Sequence, residues 1–199
     1  MPISGNNGPS DLQTIESFVA RITRRTYMEL ARPSTEYQDS YIKAIEEMRG
    51  EDRLIRLDFD LAEKDFAAFV KDLNERSEGK GLPPGYVSET IYWLVDGGEY
   101  IGRISIRHSL TEHLREVGGH IGYDIRPSKR KFGYGTKILE LVLPKARDLG
   151  LDRVLLTCDE TNTASRKIIE SNGGVLEDKR PNPEGGSDKL RFWISLASP

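Results

Sequence analysis

The chain has 199 residues, of which 37% are hydrophobic and 31% charged, and its formal net charge at pH 7 is −3. This composition predicts one soluble domain with a full-sized core, and the slight acidic excess disfavours nucleic acid as the main partner. The only cysteine, Cys158, excludes an intrachain disulfide and leaves a zinc cluster without a ligand set, so we expect no metal. Because no stretch approaches the roughly 20 apolar residues of a membrane helix and no signal-peptide core is present, we expect a cytoplasmic protein without a membrane partner.

Residues 1–26 are predicted to form an extension before the main domain, which we assign to residues 27–199. Residues 1–11 are rich in Gly, Asn, Pro and Ser, a composition that predicts disorder. Apolar residues then recur at helical spacing in Leu12, Ile15, Val19 and Ile22. Arginines on this segment raise the alternative of a transit peptide, but the acidic residues among them favour a plain helical extension.

The first part of the main domain is predicted to contain one strand and two helices. Residues 27–32 have strand character and stop at Pro33. Ser34 is a good N-cap, and one apolar helical face follows in Tyr37, Tyr41, Ile45 and Met48. The same spacing in Phe66, Phe69, Val70 and Leu73 predicts a second helix, and the breaker-rich residues 79–85 predict a loop.

The middle of the chain is predicted to form a hairpin, a strand and a long helix. Residues 90–96 and 99–107 flank Gly97-Gly98, which indicates two strands joined by a tight turn. Residues 120–126 form a third strand that ends before Pro127. A helical pattern then runs over residues 133–149, where Pro144 is expected to kink the helix or remove a hydrogen bond.

The C-terminal part is predicted to add three strands and one helix. Residues 153–157 indicate a buried strand, and residues 164–172 a helix with Gly173 just past its end. Residues 175–177 and 190–196 would close the sheet. The whole order predicts an α/β (α+β) fold, with a mixed, mostly antiparallel sheet of six to seven strands and helices on both faces.

The segment that joins the third strand to the long helix is the most informative about function. A basic cluster at residues 129–131 is followed by Gly133 and Gly135, which let a backbone loop close around a ligand. The N–H groups at the start of a helix point outward, with the positive end of the helix dipole behind them. Pyrophosphate suits such a site, and the flanking cations would add charge-assisted bonds. The segment therefore predicts a phosphate-bearing cofactor.

Over roughly residues 27–196, this element order and two motifs resemble the GNAT superfamily of acetyl-CoA-dependent N-acetyltransferases. Residues 130–135 (RKFGYG) match its cofactor signature R/Q-x-x-G-x-G/A, between a strand and a helix as the pattern requires. Further along, the strand RVLLTCDE precedes Asn162, Ala164 and Ser165 and a helix that ends at Gly173. Strings at residues 32–37, 118–128 and 164–174 are similar to a bacterial branch of this superfamily.

The resemblance implies that acetyl-CoA is the co-substrate and that its acetyl group passes directly to a primary amine. Backbone N–H groups of the glycine loop would hold the pyrophosphate, and the preceding strand would pair with the pantetheine arm. The N–H of Ile125 would donate to the thioester oxygen, and Asn162 would contact the pantetheine. The cofactor-binding residues so implied are Tyr123, Asp124, Ile125, Arg130, Lys131, Phe132, Gly133, Tyr134, Gly135, Thr136, Asn162 and Ser165.

The catalytic base and acid remain open at this stage. His120 is the first candidate for the base, since it lies near the place where many family members carry a catalytic Glu; the alternative is that it pairs with a backbone group and supports the sheet. Ile169 stands where many members carry a Tyr that acts as the general acid. Ser165, Tyr123 or water would therefore protonate the thiolate, or the thiolate would leave unaided. Weaker candidates for the base are Glu116, Asp159 and Glu160.

Three further questions stay open in the sequence. Cys158 ends an apolar strand and is expected to be a small buried residue rather than a nucleophile. The acceptor is expected to be a small-molecule amine selected by residues 32–56 and 79–88; a polyamine, an aminoglycoside, an amino acid and a peptide terminus are all compatible. The alternatives to an enzyme are an acyl-CoA-binding protein that has lost catalysis, and an interaction module whose N-terminal helix forms oligomers such as a homodimer.

Overall fold

The computed structural model describes residues 27–49 and 59–196, so the predictions for residues 1–26 and 50–56 lie outside the described residues. Seven strands and six helices follow one another within the described ranges. They are β1 (Glu29–Ala31), α1 (Gln38–Met48), α2 (Phe59–Lys64), α3 (Phe66–Glu75), β2 (Glu89–Asp96), β3 (Glu99–Arg107), α4 (Glu112–Glu116), β4 (Ile121–Ile125), α5 (Tyr134–Asp148), β5 (Arg153–Asp159), α6 (Thr163–Ser171), β6 (Val175–Arg180) and β7 (Lys189–Ser195).

The strands form two antiparallel sheets rather than one continuous sheet. The first sheet has the order β1-β2-β3-β4, and the second has the order β5-β7-β6. The predicted α/β fold with mostly antiparallel strands is confirmed, with its strands divided four and three. The two sheets approach each other where β4 and β5 lie side by side.

Helices α1 and α3 cover one face of the first sheet. Their apolar side chains meet the face of β2 that carries Ile91 and Trp93. Tyr41 of α1 stacks on Trp93 with ring centroids 4.7 Å apart, and Phe69 of α3 packs on Tyr41 at 5.3 Å. This aromatic cluster buries one side of the hairpin and fixes α1 beside the sheet.

Helix α5 covers the opposite face of the first sheet and also contacts α6. Its buried positions Ile138, Leu139, Val142 and Ala146 follow helical spacing and pack against both sheets. Pro144 lies inside this helix, where it cannot donate a hydrogen bond to the preceding turn. The first sheet is therefore covered by α1 and α3 on one face and by α5 on the other.

Candidate functional site

The two sheets are joined at the start of β4 and separate beyond it. The backbone N–H of His120 donates to the carbonyl of Leu155 on β5 (2.7 Å). A side chain at Gly119 would clash with that carbonyl, and the φ of Gly119 is +60°, so the close approach requires glycine. Past this point the strands line a cleft of about 490 Å³.

The register of β4 directs alternate backbone groups into the cleft. The N–H of Arg126 donates to the carbonyl of Ile101 (3.0 Å), so the even-numbered residues of β4 face β3. Tyr123 and Ile125, the odd-numbered residues, therefore turn their N–H and C=O groups towards β5. The side chain of Arg130 donates to the carbonyl of Ile125 (2.9 Å), which leaves the N–H of Ile125 as the group available for a ligand.

The facing strand β5 presents its backbone in the same way. Hydrogen bonds from the N–H of Glu160 to the carbonyl of Asp188 and from that of Leu196 to that of Asp152, both 2.8 Å, show that the even-numbered residues face β7. The backbone of Thr157 consequently faces the cleft. Two strand edges with free backbone groups can accept an extended, amide-containing chain as an added strand.

The glycine loop follows the end of β4 and leads into α5. Lys131 and Gly133 have φ values of +68° and +84° and turn the chain into the helix, which begins at Tyr134. A Cβ on Gly135 would lie 2.5 Å from the side chain of Ile168 on α6, so this glycine permits close packing of the two helices. The first N–H groups of α5 have no acceptor within the helix, and with the helix dipole they form a site suited to phosphate.

A buried ion-pair network anchors the turn before this loop. Arg126 is only 5% exposed, pairs with Glu47 of α1, and donates to a carboxylate oxygen of Glu99 and to the carbonyl of Tyr100, both at 3.1 Å. The hydrogen bond from Arg126 lowers the pKa of Glu47 to about 2. Glu47 also accepts from the N–H of Ser128 (3.1 Å), so α1 is tied directly to the turn that leads into the loop.

The hydroxyl groups of two residues that the sequence suggested as catalytic acids meet inside the cleft. The hydroxyl of Tyr123 lies 2.9 Å from that of Ser165, which comes from the first turn of α6. Asn162 caps this helix by accepting from the N–H of Ser165 (3.1 Å). Burial raises the pKa of Tyr123 to about 12, so its hydroxyl stays protonated at neutral pH.

Two other positions singled out in the sequence are buried near these hydroxyls. Burial raises the pKa of the Cys158 thiol to about 11, which disfavours the thiolate that a nucleophile needs. Ile169, a residue of α6, points into the hydrophobic core, so its side chain packs rather than reacts. The position where family members carry an acidic Tyr is thus part of the core here.

His120 is held by backbone groups at the junction of the sheets. It is 8% exposed, and its Nδ1 accepts a hydrogen bond from the N–H of Leu155 (2.9 Å). With Nδ1 accepting, the proton of a neutral ring is on Nε2, and no lone pair is left for an amine. Burial, and secondarily the neighbouring arginines, lower the pKa of His120 to about 4. This geometry favours a role in supporting the sheet over the role of general base.

Replacing His120 with Ala is expected to lower the free energy of unfolding by about 1–3 kcal/mol, because the N–H of Leu155 would be buried without its acceptor. The pH dependence should change as well. The pKa of about 4 in the folded protein lies below the ordinary 6.5. The contribution of His120 to the free energy of unfolding is therefore complete above pH 6.5 and is lost as the pH falls towards 4. Urea unfolding at pH 7.5 and pH 5 would measure both effects.

His113 offers a matched control, because its side chain is about half exposed. The His113→Ala variant should unfold like the unmodified protein at pH 7.5. An H120A variant of unchanged stability but with an altered pH–rate profile would instead favour the general-base role. The weaker candidates for the base are each ion-paired: Glu116 with Arg180, Asp159 with Lys189, and Glu160 with Lys179.

Sequence reasoning missed one polar wall of the cleft. Arg103, Ser105 and Arg107 project from one face of β3, and Asp124 of β4 lies opposite Arg103. The sequence did contain a signal for this wall, since the three polar residues alternate with Ile104 and Ile106 in the predicted strand. Alternation does not reveal which face stays uncovered, and here helices α1 and α3 leave this part of the face open to the cleft.

The described part of the chain offers no obvious metal site and no membrane-crossing segment. Within it, no three His, Cys, Asp or Glu side chains are grouped so that they could hold a metal ion. None of its helices is both long and apolar enough to cross a membrane.

Comparisons with known proteins identify a family and a fold for this chain. The family model described as acetyltransferase (GNAT) domain matches residues 35–175, whereas a search of curated proteins gives no significant match. Mycobacterium smegmatis RimJ, solved with CoA-disulfide, is 17% identical and has a TM-score of 0.62, over 84% of this chain and 85% of that one. The family model confirms the superfamily expected from the sequence, and the similarity to the solved structure confirms the fold.

Two other solved structures show the same fold. A Salmonella typhimurium acetyltransferase that modifies the N-terminal serine of 50S ribosomal subunit protein L7/L12 is 18% identical, with a TM-score of 0.60 over 85% of this chain and 95% of that one. The microcin C7 self-immunity acetyltransferase MccE, solved with acetyl-CoA and AMP, is 14% identical, with a TM-score of 0.60 over 88% of this chain and 99% of that one. At these identities the likeness supports the fold alone.

Proposed function

We propose that this chain, which belongs to the GNAT acetyltransferase family, transfers an acetyl group from acetyl-CoA to the primary amine of a small-molecule acceptor. The observation that carries the proposal is the cleft between β4 and β5. β4 turns N–H groups into this cleft and continues through the glycine loop to the start of α5, as binding of a long amide-containing chain that ends in pyrophosphate would require.

Acetyl-CoA would bind along this path without a metal. The backbone of residues 130–136 would hold the pyrophosphate, with Lys131 and Arg130 beside it. The pantetheine amides would pair with the backbone of Tyr123 and Ile125, and Asn162 would contact the same arm from α6. The ring of Phe132 in the glycine loop is exposed, and the nucleotide part of the cofactor would lie beside it.

The proposed reaction is a direct attack that involves no covalent enzyme intermediate. The neutral amine forms a bond to the thioester carbon, the carbon–sulfur bond breaks, CoA leaves as a thiolate, and the nitrogen passes its proton to water. The N–H of Ile125 stabilises the oxygen as negative charge develops on it. The hydroxyl of Tyr123, supported by Ser165, donates to the departing sulfur in place of the missing Tyr at position 169.

We also propose a cytoplasmic location for this enzyme. The thiol of Cys158 is free and buried, and a free thiol is stable in a reducing compartment.

A thiol-release assay with acetyl-CoA and a panel of amines tests the proposal, with titration calorimetry of coenzyme A alongside. The panel would contain polyamines, aminoglycosides, amino acids and a peptide that begins with serine. CoA binding and amine-dependent thiol release are the expected results. Binding without turnover across the panel would favour the alternative of an acyl-CoA-binding protein, and absence of binding would refute the assignment of the glycine loop.

A further inference from the structure

The glycine loop is tied at both ends to one tight turn, the turn between β2 and β3. Before the glycines, Nζ of Lys129 donates to a carboxylate oxygen of Glu99 (2.6 Å). After them, the hydroxyl of Tyr134, the first residue of α5, donates to Oδ2 of Asp96 (2.7 Å). Asp96 and Glu99 pair with each other across the hairpin. The loop residues between the two ties, 130–133, are therefore held from both sides by one turn.

The turn that carries these carboxylates is itself rigid. Gly97 and Gly98 have φ values of +58° and +79°, the positive values that a two-residue type I′ turn requires. On the strands behind the turn, Val95 and Tyr100 are buried in the cluster that α1 and α3 cover. A carboxylate carried by such a turn has little freedom to move, so a group that binds it is held in place.

The start of α5 needs support from outside because its N-cap residue is Gly133, which has no side chain to accept from the first N–H groups. Helices α3, α4 and α6 are instead capped by the side chains of Asp65, Thr111 and Asn162. A capping side chain on α5 would occupy N–H groups that a pyrophosphate needs. The contact from Tyr134 to Asp96 fixes the first turn and leaves all of those N–H groups available.

The chemistry of the Tyr134–Asp96 pair suits a fixed contact. A hydroxyl that donates to a carboxylate forms a charge-assisted hydrogen bond, which is stronger than one between neutral groups. Both side chains belong to partly buried residues, where solvent competes less for the bond. The hydrogen bond to Asp96 raises the pKa of Tyr134, so the hydroxyl remains a donor at neutral pH.

We propose that Asp96 is a positioning residue for acetyl-CoA, and that it holds the first N–H groups of α5 ready for the pyrophosphate through the hydroxyl of Tyr134. The inference rests on the proposed function and explains how part of that site keeps its shape before the cofactor arrives. A loop that is ordered in advance loses less conformational entropy on binding, which raises affinity. The effect belongs to cofactor binding and not to the chemical step, since Tyr123 and Ile125 lie on β4, outside the tied segment.

Titration calorimetry of coenzyme A into matched variants tests this role. Tyr134→Phe and Asp96→Ala each remove the hydrogen bond and are expected to raise the Kd of CoA about 3- to 10-fold. The double variant should bind no more weakly than the weaker single variant, because both changes remove the same bond. Asp96→Asn keeps an acceptor for the hydroxyl and should stay within about 2-fold of the unmodified protein. Tyr92→Phe, on the same strand β2, is the control with an unchanged Kd.

Two further measurements separate positioning from a merely structural contact. In the acetylation assay, the KM of acetyl-CoA should rise in Tyr134→Phe by the same factor as the Kd, at an unchanged kcat. A lower free energy of unfolding in urea with an unchanged Kd of CoA would overturn the inference. Equally weak binding by Asp96→Asn and Asp96→Ala would overturn it as well, since an acceptor for Tyr134 would then not be what matters.

Calorimetry needs no acceptor, so these outcomes do not depend on turnover. Loss of affinity in Tyr134→Phe with rescue in Asp96→Asn supports the inference even if no amine of the panel is acetylated. Equal affinities in all variants would overturn the inference and leave the proposed transferase intact. Absence of CoA binding to the unmodified protein would refute the assignment of the glycine loop, and the inference with it.

Discussion

Replacing Arg126 with Met is expected to lower the free energy of unfolding by about 3 kcal/mol, because Glu47, Glu99 and the carbonyl of Tyr100 each lose a hydrogen bond from a buried guanidinium. The side chain of Arg126 is buried between Glu47, Glu99 and Tyr100, and methionine would fill much of its volume without replacing its hydrogen bonds. Urea unfolding would measure the loss. The KM of acetyl-CoA should also rise, since the turn before the glycine loop would lose its tie to α1.

The same network predicts that the free energy of unfolding falls at acid pH. The pKa of Glu47 is about 2, below the ordinary 4.5, so its contribution is present above pH 4.5 and is lost as the pH falls from 4.5 towards 2. Solvent reaches part of this side chain, so we expect the contribution to be about 2 kcal/mol. The Glu47→Gln variant should lack this loss between pH 4.5 and 2.5, whereas Glu63→Gln, at a more exposed pair, should retain it. Equal losses in both variants would contradict the assignment.

Local patterns were sufficient to predict the elements that contain their own signals. The β2–β3 hairpin was predictable because alternation and Gly97-Gly98 lie within one short stretch. Strand β6 was predicted to end at residue 177 but continues to Arg180, because pairing with β7 determines its length and its last residues are polar. The short helix α4 was missed, although Thr111 caps it by accepting from the N–H of Leu114.

The site was predictable to the extent that its residues are close in sequence. The glycine loop follows β4 directly, so its order alone indicated a phosphate site. The bond from Leu155 to His120 joins positions 35 residues apart and depends on how the two sheets meet, so the sequence could only offer it as an alternative. The wall formed by Arg103 and Ser105 depends on which face the helices cover, which no local pattern specifies.

Replacing Tyr123 with Phe is expected to lower kcat about 10- to 100-fold, with little change in the KM of acetyl-CoA. The reason is the relation between two pKa values. The Tyr123 hydroxyl, with a pKa of about 12, is a weaker acid than a thiol with a pKa near 8.5. It would therefore stabilise the departing thiolate by a hydrogen bond rather than by complete proton transfer, an interaction with a charged group that is worth about 1.5–3 kcal/mol.

Kinetics of three variants would test this role. Ser165→Ala should have a smaller effect than Tyr123→Phe, because Ser165 orients the phenol 2.9 Å away instead of contacting the sulfur itself. Tyr92→Phe removes a hydroxyl from a half-buried ring in the β2–β3 hairpin and should leave kcat unchanged. Since Tyr123 stays protonated well above neutral pH, its loss should lower kcat equally from pH 7 to pH 9. An unchanged kcat in Tyr123→Phe would mean that the thiolate leaves with the help of water alone.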